Sequence, residues 1–238
     1  MSVAFVRGFA QWTAEDGAPQ AVLLPTQQRR RCSLLTRMVA HVTAELIDDG
    51  LVLDDAALVI GTGFGEISTT VELMAMMHAE PGELSPIRFA GSVHNAAAGQ
   101  LAIAVGHRGR QTTISAGTRT LAAAWLEALG LLGAGVGQVL VVLADEPLPA
   151  PLHPRHDALA VALWLSASPE RARARVQWLG DRRDPPPWPR TPAMLQHNPV
   201  VPAWCLGVAI ADAHASTVRL EPDDVRGHAA CVRVEPLP

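Results

Sequence analysis

SPIRFAGSVHNAAAGQLAIAVGHRGRQTTISAGTRTLAAAWLEALGLLGAGVGQVLVVLA, residues 85–144, carries the pattern that decides the fold. Asn95 to Val105 has the apolar content and length of a helix. Gln111–Ser115 is a short strand rich in threonine. Arg119 to Leu132 reads as a further helix, and Gln138–Leu143 as a continuous apolar strand. Helices and strands that alternate over short loops imply a mainly parallel, mixed sheet with helices on both faces, an α/β architecture.

The same alternation extends outward. VAFVRGFA near the start has strand character. Ser33 is placed to cap a helix that carries Leu34, Leu35, Met38, Val39, Val42, Leu46 and Ile47 at helical spacing, and Gly50 ends it. Ala57–Ile60 is a short apolar run closed by Gly61, as expected of a buried strand. Glu66 to His78 reads as a second helix, and the segment holding Glu80 and Glu83 as a polar loop. Beyond Ala144 the alternation weakens. Ala158 to Leu165 reads as a buried strand, Ser168 with Glu170 as the start of a short helix, and Asp184–Pro192 (DPPPWPRTP) as an irregular, extended loop. Val201–Ile210 and Thr217–Leu220 read as closing strands. No internal repeat and no second core is visible, so residues 1–238 are expected to form a single domain.

Composition narrows the function. A net charge of −4 disfavours nucleic acid as a partner, because phosphate binding needs a concentrated basic face. The chain has no lysine, which removes lysine Schiff-base chemistry. The least polar stretch, Leu121 to Ala144, is broken by Glu127 and several glycines. No run reaches the roughly 18–20 apolar residues needed to cross a bilayer, and MSVAFVRGFA lacks a basic segment followed by an apolar core, so a secretory signal is not expected. A cytoplasmic location without a membrane partner is expected. Cys32, Cys205 and Cys231 are odd in number and lack metal-like spacing, so they read as reduced, packed thiols. His153 and His156 lie in a proline-rich loop without a third ligand. Neither a metal nor a cofactor is expected.

LVIGTGFGE (Leu58–Glu66) sets three glycines at a strand-to-helix turn. Their G-x-G-x-G spacing differs from the G-x-G-x-x-G of a dinucleotide fingerprint, and no acidic residue ends a second strand about 20 residues later. The turn reads as a tight connection rather than a phosphate cradle.

These pieces, taken in order, resemble a known family. Arg29–Glu66, with its arginine, amphipathic helix, aspartate-rich loop and G-T-G-x-G turn, is similar to the opening of a β-ketoacyl-acyl-carrier-protein synthase. So are Ser85-Pro86, Asn95, Ala97–Gly99, Gly106–Gly109 and the strand ending near Ala144. The recognisable core spans about 29–145, and the best fit is the short, N-terminal-half type described as chain-length-factor-like, found with aryl-polyene-type pathways. The resemblance implies a thiolase-like half fold.

It also implies site positions. Synthases set a nucleophilic cysteine at a strand-to-helix turn, where the helix N-terminus lowers the thiol's pKa. Here Thr118 occupies that position. Chain-length factors often carry glutamine there, so Thr118 departs from them too. The histidines that assist condensation come from a second half that is not found, and His214 is no substitute. No catalytic residue is therefore assigned. The resemblance places Phe64 in the acyl pocket and Ile87, Arg88 and Phe89 at the partner's acyl tunnel. It makes Gln111, Thr112, Thr113, Ile114 and Ser115 the strand that pairs across a dimer. Met74, Met76 and Met77 form an adaptable apolar cluster suited to packing or an interface. The implied role is a non-catalytic subunit that forms a heterodimer with a full-length, cysteine-bearing β-ketoacyl-ACP synthase. It would meet acyl carrier protein through that complex, where Arg108, Arg110 and Arg119 are candidate contacts. Two alternatives remain open at this point: an acyltransferase or hydrolase using Thr118 or Ser115, and a homodimeric acyl-binding scaffold.

Overall fold

The computed structural model describes residues 2–79, 85–212, 214–222 and 224–238; Glu80 and Glu83 lie outside the described residues. In chain order the elements are β1 (Val3–Thr13), α1 (Thr26–Arg29), α2 (Leu34–Asp48), β2 (Ala56–Gly61), α3 (Ile67–Ala79), α4 (Pro86–Gly91) and α5 (Ala96–Val105). They continue with β3 (Gln111–Ile114), α6 (Thr120–Gly133), β4 (Gln138–Asp145), β5 (Leu159–Ser166), β6 (Ala174–Arg183), α7 (Val201–Ala211), β7 (Ser216–Arg219) and β8 (His228–Pro236).

One eight-stranded mixed sheet runs β3-β2-β4-β5-β1-β6-β8-β7. The helices cover both of its faces. On one face α2 and α5 set Leu35, Met38, Val42 and Leu101 against Leu140, Val142 and Ala162. On the other α6 and α7 set Leu121, Trp125 and Leu206 against Val139, Val141, Leu163 and Val232. The alternation of Leu140 and Val142 with Val139 and Val141 is the period-two consequence of a strand buried on both faces. Each such side chain, fully buried, is worth about 1.5–3 kcal/mol.

The expected predominance of parallel pairing holds at one end only. β2 pairs parallel with β3 and β4. The pairs β4–β5, β5–β1, β1–β6, β6–β8 and β8–β7 are antiparallel. The cause is the C-terminal third, which returns as strands joined by loops and hairpins rather than by crossover helices.

Local signals behave as chemistry requires. The Ser33 side chain accepts from the Thr36 amide and caps α2. Gly50 follows the helix at φ +101°, a conformation that L side chains rarely adopt. Three expectations need correction. Val201–Ile210 is the helix α7, with Pro202 in its first turn, where a missing N–H costs nothing. Ser168 and Glu170 belong to a loop whose amides are capped by the Ser166 and Ser168 hydroxyls, and no helix starts there. Ser115 lies just past β3, exposed, and its Oγ donates to the Gly63 carbonyl. Residues 184–192 are irregular, as the prolines dictate.

Candidate functional site

The parallel strands β2, β3 and β4 end on the same side of the sheet, and three loops meet there. In an open α/β sheet this is where ligands are held. After β2 the chain turns through Thr62, Gly63, Phe64 and Gly65. After β3 it makes a 3-10 turn over Gly117–Arg119 before α6 begins. Asp145 closes β4.

Asp145 is fully buried, and the glycine turn wraps around it. The Gly63 and Phe64 amides donate to its carboxylate at 2.7 and 3.0 Å, and the Thr62 hydroxyl donates at 2.9 Å. Burial pushes the carboxyl up to about 6 against these bonds, which favour its charged form. The turn's amides are therefore saturated by the chain itself, which gives a physical reason why it does not serve a phosphate. A Cβ on Gly63 would sit 2.5 Å from Pro199 Cγ, so only glycine lets the turn meet that wall.

Beside Asp145 lie two further buried acids. Glu66 is raised to about 7, first by desolvation, although Ser33 and Thr36 hydrogen-bond to it and pull the other way. Glu146 is also raised by burial, and it accepts from the Ser68 amide.

Thr118 sits in the 3-10 turn with its side chain exposed, on the wall of a cavity of about 630 Å³. Its hydroxyl forms no hydrogen bond among the described residues, so no base holds it ready to lose a proton. The following residue, Arg119, is tied by two bonds to the buried Glu221, at 2.9 and 3.3 Å, and Glu221 also accepts from the Ala230 amide. Arg119 thus fastens the Thr118 turn to the C-terminal segment. Arg108 and Arg110 remain exposed.

Phe64 faces the same cavity and stacks on His156, with ring centroids 6.1 Å apart. His156 is buried, and burial lowers its pKa. Asn198, also buried, reaches His156 Nδ1 at 3.2 Å and the Asp157 carbonyl at 2.8 Å, which fixes the cavity's inner wall. The outer wall comes from the proline-rich strap: Trp188, held under the Arg219 guanidinium at 4.7 Å, then Arg190, His197 and Pro199, with Pro222 from the later segment. Sequence reasoning missed Trp188, His197 and Asn198. The tetrapeptide QHNP (Gln196–Pro199), a polar run ahead of an apolar helix, was the available signal.

The structure does not bring Ile87, Arg88 and Phe89 to this cavity. They lie on α4, with Ile87 75% and Phe89 60% exposed. Met74, Met76 and Met77 are exposed on α3, and Arg88 contacts Met76 Sδ and Glu72. None of these is a core residue. Gln111–Ile114 is an edge strand, paired among the described residues with β2 alone. Cys32, Cys205 and Cys231 are all buried, and burial raises each thiol, Cys205 to about 12, so none is a nucleophile at neutral pH. His214 is exposed beside Asp212. His153 is exposed while His156 is buried, and among the described residues no three His, Cys, Asp or Glu groups are arranged to hold a metal ion.

The family described as Beta-ketoacyl synthase, N-terminal domain, matches residues 7–199. The chain belongs to that family. The match runs through the glycine turn, the Thr118 turn and the strap, and stops just before α7. Among solved structures, the fold is similar to a ketosynthase (ApeO) in complex with its chain length factor (ApeC) from Xenorhabdus doucetiae. That match has 22% identity over 88% of this chain and 81% of the other, with a TM-score of 0.64. It is also similar to the ishigamide ketosynthase/chain length factor, at 14% identity over the whole of both chains and a TM-score of 0.70. A third is a complex of a type II polyketide acyl-carrier protein with its ketosynthase (AntDE:AntF), at 12% identity over the whole of both chains and a TM-score of 0.69. These likenesses establish the thiolase-like fold. No curated protein matches the chain. Among the described residues, no helix is long and apolar enough to cross a membrane.

Proposed function

We propose that this chain is a non-catalytic ketosynthase-like subunit, chain-length-factor-like, that pairs with an active, cysteine-bearing β-ketoacyl-ACP synthase in chain elongation of the fatty acid or polyketide type. The observation that carries the reading is the Thr118 turn. The position that resembles a synthase nucleophile holds an exposed hydroxyl without a base, and every thiol is buried and protonated. A group that cannot form the acyl-enzyme cannot split condensation into its two steps, so the fold's remaining use is to shape and stabilise a partner.

Two surface features support pairing. β3 presents an unpaired strand edge to solvent, the kind of edge that another chain extends by backbone hydrogen bonds. The exposed apolar side chains of α3 and α4, Met74, Met77, Ile87 and Phe89, supply the apolar area that a stable interface buries. In this reading β3 pairs antiparallel with its counterpart in the synthase, and Ile87, Arg88 and Phe89 face the partner's acyl tunnel. Acyl carrier protein is met through the complex, and a cytoplasmic setting and an aryl-polyene-type product belong to the same proposal.

Affinity purification from the source organism tests it. A one-to-one complex with a cysteine-bearing ketosynthase, sized by light scattering, is the expected result. A chain that purifies alone overturns it. The rival acyltransferase reading predicts instead a covalent acyl adduct on Thr118 or Ser115, which mass spectrometry detects.

A further inference from the structure

We infer that the cavity beside Thr118 is a binding site, completed within this one chain, for a flat apolar carboxylate. The inference rests on the preceding reading only in treating Thr118 as unreactive.

Its volume of about 630 Å³ falls in the range of small-molecule sites, roughly 300–1,000 Å³. The walls are rigid and flat. Phe64 is fixed by its stack on His156, and Trp188 by the Arg219 guanidinium above it. Pro199 and Pro222 line the space between them. Two oriented aromatic faces favour a planar partner, because offset stacking adds to simple area burial. A flexible saturated chain gains only the area term and gives up rotamer freedom.

The polar groups select the charge. Two acids adjoining lining residues are already used: Asp145 by the Thr62–Phe64 turn, and Glu221, which precedes Pro222, by Arg119 and the Ala230 amide. Among the described residues no carboxylate lines the cavity, whereas Arg190 does, exposed and without an ion pair. An anion that reaches Arg190 meets a guanidinium able to bond both carboxylate oxygens. The strap residues Trp188 and Arg190 therefore provide one stacking face and one charge.

The test is titration calorimetry of the full chain with 2-naphthoate and, separately, the neutral 2-naphthamide. Saturable one-site binding of naphthoate is expected. Arg190→Gln should weaken naphthoate about fivefold and leave naphthamide unchanged. Trp188→Ala should weaken both about tenfold, and Trp188→Phe, which retains a ring, should restore most of the loss if Trp188→Ala is otherwise folded. Absence of saturable binding overturns the inference, as does naphthoate affinity that Arg190→Gln leaves intact. Because the readout is binding to this chain, it is independent of whether a ketosynthase co-purifies, and the two readings fail separately.

Discussion

Asp145 and Glu66 are acids buried a few residues from the cavity, and their surroundings set different behaviour. Asp145 accepts three hydrogen bonds from the glycine turn, so replacing it with alanine leaves two amides and a hydroxyl without a partner. Each unmet buried donor costs about 1–3 kcal/mol. Asp145→Ala should therefore lower stability by roughly 3 kcal/mol or more, a fall in Tm on the order of 10 °C for a chain this size, read by thermal denaturation. Glu66 has one oxygen, Oε2, buried without a partner, and its pKa stands at about 7 against an ordinary 4.5. Between those values the folded chain holds a proton that the unfolded chain has released. The contribution of Glu66 to stability must then fall as pH rises from about 4.5 to 7. Asp145 adds a decline of the same sign from 3.8 to about 6. Glu66→Gln removes that one ionisation, so between pH 6 and 7 its denaturation midpoint should fall less than that of the native chain; parallel pH profiles would refute this. At Thr118, exposed and unbonded, Thr118→Ala should change stability by less than about 0.5 kcal/mol. Its acylation profile with acyl-ACP should equal that of the unaltered chain.

At the scale of elements, β3 decides association. The Arg110 and Ile114 carbonyls accept from Leu58 and Thr62 of the β2 side, so residues 110, 112 and 114 turn inward and Thr113 points its N–H outward. Proline at position 113 removes only that outward donor, which an edge strand tolerates. Thr113→Pro should keep the melting temperature within a few degrees and abolish recovery of a ketosynthase in the affinity purification; an intact complex would place the interface elsewhere. The elements also show what could be read in advance. Apolar runs and helical spacing made β1 to β4 and most helices between them legible, whereas Thr118 and Phe64 were singled out by the family resemblance and not by periodicity. α7 was read as a strand because VPAWCLGVAI is apolar all round, and a helix buried on most sides loses the period that marks it. β6 and β8 were missed because ARVQWLGDRR and HAACVRVEP end in polar or charged residues and carry a bulge at Trp178/Gly180, so their alternation is short. Trp188, His197 and Asn198 escaped notice because a proline-rich strap has no period at all. Only its docking shows which of its side chains face inward.

For the whole molecule, the question is whether the family-matched portion, residues 7–199, is a unit or part of one. The structure answers through its core. α7, β7 and β8 lie beyond the match, yet Cys205, Leu206, Val232 and Val234 are essentially unexposed and share one cluster with Val161, Leu163 and Val176. β8 supplies one entire edge partner of β6, and Glu221 anchors Arg119 beside the Thr118 turn. Removing residues 200–238 strips the α7 face of the sheet and leaves β6 an unpaired, partly apolar edge. The loss of four fully buried aliphatic or thiol side chains alone amounts to roughly 6–12 kcal/mol, comparable with the 5–15 kcal/mol of a typical domain. A chain ending at Pro199 should therefore fail to unfold cooperatively and should aggregate when expressed, whereas a chain ending at Val234, which keeps every one of these side chains, should melt near the full-length value. If the shorter chain instead gave a sharp transition by circular dichroism, the matched portion would be autonomous. Pro222 and the segment that carries it would then be a separable cover over the Thr118 cavity rather than part of the same folding unit.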